Sequence, residues 1–121
     1  MDSSHFLIVK DPAAVSSLEI PVLYYNQFYI VASELLQEKS NHCIKYTATI
    51  HSYDDGLTCI CYIADDQTGE IKILSYDLPP QNKKQLLSLS RQFSSMYTFE
   101  RDLAHDFGID FIYLPSNSVT N

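Results

Sequence analysis

The sequence of 121 residues predicts one α+β domain: a two-layer α/β fold with a mostly antiparallel sheet, a three-strand meander at its centre and two to three helices. Three observations predict it. Phe28, Val31, Ala32, Leu35 and Leu36 recur at the i, i+3, i+4, i+7, i+8 spacing of one helix face. Residues 44–77 hold three apolar-patterned runs separated by two turn signals, Asp54-Asp55-Gly56 and Asp65 to Gly69. The length is that of a single domain of about 100–150 residues, assigned here to 1–115 with a flexible polar tail over 116–121.

Taken in order, His5 to Val9 reads as a short buried strand. Leu18 to Tyr25 reads as a second strand, placed at an edge by Pro21, which has no N–H to give a ladder. Asn26 is a suitable N-cap for a helix over 26–39, with Gln27, Glu34, Gln37 and Glu38 off the apolar face and Ser40-Asn41 ending it. In the first strand of the meander Ile44, Tyr46, Ala48 and Ile50 share a face. In the second, Leu57, Cys59, Cys61 and Ile63 share one face and Ile60, Tyr62 and Ala64 the other, so this strand is expected at the centre of the sheet. In the third, Ile71 and Ile73 are expected inward and Lys72 outward. Leu78-Pro79-Pro80 ends the sheet. Asn82 and Gln85 resemble a capping box for a helix with the stripe Leu86, Leu89, Ser90 and Phe93. Thr98 is the expected cap of a last helix with the stripe Phe99, Leu103 and Phe107, and Gly108 stands where a left-handed C-terminal glycine belongs.

Composition excludes several functions. Fifteen acidic residues face eight basic ones, the net charge is −7, and no Lys/Arg cluster is larger than Lys83-Lys84. That is the reverse of a nucleic-acid footprint, so no nucleic-acid partner is expected. No apolar run reaches the ~18 residues of a membrane span. Met1-Asp2-Ser3-Ser4 lacks the basic and apolar regions of an export signal, so the expected location is cytoplasmic, with no direct membrane insertion.

Candidate chemical groups are sparse. Cys59 and Cys61 sit on one strand face among apolar neighbours, and the adjacent His42-Cys43 does not make the second ligand pair that zinc wants. The three cysteines therefore read as small core residues, and no metal or cofactor is expected. His5, His42, His51 and His105 lack metal-binding spacing, three glycines cannot build a phosphate loop, and Asp54-Asp55 and Asp65-Asp66 lie in turns, where Asp is favoured for backbone reasons. No catalytic residue is assigned.

Residues 98–109 stand out. Glu100 and Asp102 suit the N-terminal end of a helix dipole; Asp106 stands at the wrong end and four residues from Asp102. Arg101 has no acidic residue three or four positions away in its own helix. Phe99-Glu100-Arg101-Asp102 followed by Asp106-Phe107-Gly108-Ile109 resembles the signature of the 30-kDa subunit of respiratory complex I (NuoC type). The same domain occurs in energy-converting nickel–iron hydrogenases and formate hydrogenlyases. The resemblance covers roughly residues 26–115. Two departures accompany it: Asp102 stands where the family has Glu, and Tyr113-Leu114-Pro115 replaces a Gly-His-Pro segment followed by a basic tail. The chain thus looks more like the short hydrogenase-type versions.

The resemblance implies a non-catalytic accessory subunit of a complex I-like NADH dehydrogenase or energy-converting hydrogenase. Its implied partners are the hydrogenase-type large subunit, homologous to the 49-kDa complex I subunit, and a neighbouring iron–sulfur subunit. Its implied location is peripheral to the inner membrane through those subunits. The implied interface residues are Glu100, Arg101, Asp102, Asp106, Gly108, Ile109 and Pro115, with the four charged side chains partly exposed or in a charged network. The alternative is a stand-alone small-molecule-binding or enzymatic domain of the same fold.

Overall fold

The computed structural model describes residues 5–11, 19–80 and 85–112. The order of elements is β1 (Leu7–Val9), β2 (Val22–Leu23), α1 (Tyr25–Leu36), β3 (Asn41–Ile50), β4 (Leu57–Asp65), β5 (Ile71–Leu78), β6 (Gln85–Leu87), α2 (Tyr97–Phe107) and β7 (Asp110–Ile112). The fold is α+β. The main sheet runs β1-β5-β4-β3, with β2 also pairing β5, and every pairing is antiparallel except the short β2–β5 one. The meander is β3-β4-β5, and β4 is interior as its two apolar faces require. Strands β6 and β7 form a separate parallel pair.

Both helices lie against the sheet face that carries Cys59 and Cys61, and the packing starts from aromatic rings. Phe28 of α1 is fully buried, with its ring centroid 4.6 Å from Tyr76 of β5 and 5.9 Å from Tyr46 of β3. Tyr25 meets Tyr76 edge-on at 4.8 Å, the arrangement favoured by ring quadrupoles. Burying a side chain such as Phe28 contributes about 1.5–3 kcal/mol. The hydroxyls of Tyr46 and Tyr76 would each be costly if left unpaired in this interior; they hydrogen-bond to each other at 2.7 Å. Burial pushes both phenols up, so they remain neutral donors and acceptors. The end of α1 is tied down from β3, where the Asn41 side-chain amide donates to the Leu35 carbonyl at 2.8 Å.

Four sequence expectations are corrected. The helix starts at Tyr25 rather than after Asn26; Gln27 turns back so that its Oε1 accepts from the Tyr24 N–H at 3.4 Å. In β3 a bulge between Cys43 and Lys45 inserts Ile44 as an extra residue, so Cys43 and Tyr46 face inward and Ile44 is left exposed. In β5 the inward set is Leu74, Tyr76 and Leu78, in register with Cys61, Cys59 and Leu57. Lys72 shares that face at its margin, 3.7 Å from Asp65, while Ile73 is buried on the opposite face in register with Leu7 and Tyr62. Finally, the helix expected from Asn82 to Phe93 is absent from its described part. Residues 85–87 are strand β6, and Leu89–Arg91 and Ser94–Met96 are single 3₁₀ turns. Ser88 explains the break: its side chain accepts from the Ser90 N–H at 3.0 Å, a local bond that competes with helix formation. Asn82 lies outside the described residues, as do the tail 116–121 and Pro115.

The turns of the meander are held by carboxylates. Asp54 accepts from the Gly56 N–H at 2.8 Å and Asp65 from the Gln67 N–H at 2.9 Å. Gly56 has to be glycine, since a Cβ there would lie 2.7 Å from the Leu78 carbonyl oxygen of the adjacent strand. The Gly56 N–H, assisted by His51, holds Asp54 below the usual carboxylate range. The Gln67 N–H does the same for Asp65, with Ser40 and Lys72 assisting. A carboxylate whose folded value is depressed contributes stability above its unfolded value near about 4, and that contribution is lost as pH falls through the folded value. Thermal melts are therefore expected to fall on acidification. Asp54→Asn and Asp65→Asn should melt below the parent at neutral pH and converge on it in acid; equal pH slopes in parent and variants would show that neither turn contributes.

Candidate functional site

The signature helix α2 grows out of the Ser94–Met96 turn. Met96, fully buried, stands at the N-cap position without a side-chain cap bond, so packing anchors this end and Thr98 does not cap it. Leu103 is buried and Phe99, Ala104 and Phe107 are packed against the core at partial exposure, which agrees with the expected stripe. The helix ends at Gly108 with φ +70°, in the left-handed region, and the Gly108 N–H donates to the Ala104 carbonyl at 2.9 Å. Ile109 is buried just beyond it.

Glu100 departs from expectation. It is fully buried and makes no ion pair among the described residues; its carboxylate instead accepts four hydrogen bonds from the segment 88–90. Oε1 receives the hydroxyls of Ser88 and Ser90, each at 2.5 Å, and the Ser90 N–H at 3.2 Å. Oε2 receives the Leu89 N–H at 2.7 Å. Hydrogen bonds to an ionised acceptor are roughly twice as strong as neutral ones, and a buried carboxylate without partners would be strongly destabilising. The cage fixes more than one turn. The Ser88 N–H bonds to the Ile112 carbonyl of β7 at 3.1 Å, and the Tyr25 hydroxyl donates to the Leu87 carbonyl at 2.5 Å. Burial pushes the Tyr25 phenol up strongly, and the nearby Glu100 charge adds to it. Sequence reasoning missed the cage because it read Ser90 as part of a helix stripe. The available signal was two serines flanking Leu89, a pair of hydroxyls beside a turn.

The other signature charges lie on the far side of α2. Arg101, Asp102, His105 and Asp106 are all exposed, along with Thr98. Arg101 Nη2 sits 3.1 Å from Asp102 Oδ1, and its guanidinium lies 5.8 Å from the centre of the Tyr97 ring. His105 Nδ1 is 3.1 Å from Asp106 Oδ1. Among the described residues, the charged-group contacts of both Arg101 and Asp106 are thus with an adjacent residue of the same helix. The structure brings Arg101, Asp102 and Asp106 onto one surface and places Glu100 behind it.

Two further groups have chemical potential. His51 lies between Asp54 (Nδ1 to Oδ1, 2.9 Å) and Thr58 (Nε2 to Oγ1, 2.6 Å), and the Thr58 hydroxyl donates to Asp77 at 2.6 Å. The order acid–imidazole–hydroxyl is that of a nucleophile relay, but the hydroxyl hydrogen is committed to Asp77, and the network clamps the β3–β4 turn to β4 and β5. The cysteine sulfurs lie inside the core, with Cys43 and Cys61 3.8 Å apart. The bond from Cys61 lowers Cys43, whereas that same bond and burial raise Cys61, and burial pushes Cys59 up to about 11. A metal would need thiolates, which this interior disfavours at Cys59 and Cys61. Among the described residues no group of three or more His, Cys, Asp or Glu is gathered as a metal site, and no helix is long and apolar enough to cross a membrane. Comparison with protein families, with curated proteins and with solved structures gives no match to this chain.

Two stability outcomes follow from the helix. Glu100→Ala leaves two hydroxyls and the Leu89 N–H without their acceptor, while the Ser90 N–H keeps Ser88 Oγ, and should cost about 3 kcal/mol or more; Ser90→Ala, which removes one donor, should cost less. Urea unfolding measures both, and a Glu100→Ala loss under about 1 kcal/mol would refute the cage. Gly108→Ala should destabilise by about 1–2 kcal/mol, because a Cβ meets no neighbour within 4 Å and the left-handed backbone supplies the whole penalty. Should Gly108→Ala unfold at the parent's urea midpoint, the left-handed end of α2 is not a constraint.

Proposed function

We propose that this domain is a non-catalytic accessory subunit of a complex I-like NADH dehydrogenase or energy-converting nickel–iron hydrogenase, docked on the hydrogenase-type large subunit beside an iron–sulfur subunit. The observation that carries the reading is the division of the signature helix. Its Glu100 is spent inside the domain, while Arg101, Asp102 and Asp106 form an exposed stripe whose ion pairs stay within the helix. Surface pairs of this kind contribute little to folding, about 0–1 kcal/mol. Asp106 stands at the unfavourable end of the dipole. A second surface that supplies complementary charges would use this stripe, giving orientation and encounter rate more than raw affinity.

In this reading the subunit holds no redox centre and carries no electron. It is cytoplasmic and reaches the inner membrane through its partners. The division of labour on α2 makes a sharp expectation. Arg101→Ala and Arg101→Glu should leave the free domain within about 0.5 kcal/mol of the parent, yet lower its co-purification with a hydrogenase-type large subunit, the charge reversal more than the truncation. Normal assembly of both variants, or a large drop in melting temperature of either, would sink the interface role of the stripe.

A further inference from the structure

At the end of α2 the chain turns at Gly108, and the two-proline end of β5 and the β3–β4 turn come up beside it. Between them lies a cavity of about 260 Å³. Buried Leu78 and Ile109 and half-buried Leu57 and Phe107 line it, and so do two exposed acids from separate elements, Asp55 and Asp106. Ile50, largely exposed, extends the apolar wall outward.

One of the two acids stands here against local preference. Asp106 occupies the last turn of a helix, where the dipole disfavours negative charge, and follows Asp102 by four residues. Asp55 has φ +63°, the only non-glycine with positive φ among the described residues. Among those residues Asp55 has no ion pair, and Asp106 has only its exposed neighbour His105. An apolar cavity edged by two carboxylates is complementary to a long side chain with an aliphatic stem and a cationic end. The volume is below the roughly 300–1,000 Å³ of small-molecule sites, which favours one or two side chains over a cofactor.

We propose that this cavity receives an Arg or Lys side chain, flanked by an apolar residue, from a segment of a partner protein. The stem packs on Leu57, Leu78 and Phe107, and the cationic end lies between Asp55 and Asp106. The proposal rests on the reading of the domain as a docking subunit and adds the chemistry of what docks. Asp55 is the informative position, because it lies outside the signature helix and no docking role for that helix requires it.

The probe is the blocked tripeptide acetyl-Leu-Arg-Leu-amide, with its citrulline counterpart as the uncharged control, titrated into the full chain by two-dimensional amide NMR. Saturable shifts are expected at residues 54–57 and 106–109. Citrulline, the double variant Asp55→Asn/Asp106→Asn, and high salt should each weaken binding by about tenfold. Absence of saturable shifts at these residues, equal binding of the citrulline peptide, or undiminished binding by the double variant would overturn the proposal. The two readings separate cleanly. If the peptide binds as expected while the parent chain fails to assemble with the large subunit, the cavity stands and the subunit assignment falls. If assembly depends on Arg101 while the peptide ignores both carboxylates, the assignment stands and the cavity proposal falls.

Discussion

The carboxylate of Glu100 is the constraint on which the C-terminal half of the domain depends. A buried negative charge is tolerated only where donors replace water, and four donors from residues 88–90 do so. To deliver them, the chain must leave β6 at Ser88 and fold tightly back under α2. That placement sets β6 beside β7 and puts the Leu87 carbonyl within reach of Tyr25. The first helix, the last helix and the small parallel pair are thereby joined by polar contacts inside an otherwise apolar interface.

The other half of the domain is organised by shape. Phe28, Tyr25, Tyr46 and Tyr76 interlock between α1 and the sheet, and the three tyrosine hydroxyls are satisfied by one another or by a backbone carbonyl. Rings of this size leave few alternative packings, so the position of α1 over β3 and β5 follows from them. The small side chains of Cys59 and Cys61 on the central strand lie between those two strands, with Cys59 in register with Tyr76 and Cys61 with Tyr46.

The two faces of α2 contribute unequally to the isolated domain. The face of α2 toward the core carries Leu103 and Glu100 and cannot be changed without cost to the fold. The outward face carries charges that contribute little to the isolated domain. Where the helix ends, Gly108 turns the chain with a left-handed backbone, and that turn opens the acid-edged cavity beside the β3–β4 turn. A single secondary-structure element thus bears both the internal lock and the surface proposed to meet a partner.

The elements with strong periodicity were legible in the residues. The α1 stripe, the three-strand meander with β4 inside, the apolar face of α2 and the left-handed Gly108 all follow from local patterns, because helix and strand periods repeat within a few residues of each other. Tertiary structure decided what local pattern leaves balanced. In β5, Ile71 and Ile73 compete with Leu74, Tyr76 and Leu78 for the inner face, and only register with β4 selects the latter. The bulge at Ile44 is likewise chosen by pairing across strands, since one extra residue exchanges which side chains face inward. Residues 85–93 have a helical stripe, but their polar groups bond to Glu100 and to β7, from 10 or more positions away in sequence. Glu100 read as a partly exposed charge or a member of a charged network for the same reason: its donors are remote in sequence, and a carboxylate's partners, unlike an apolar stripe, leave no period to read.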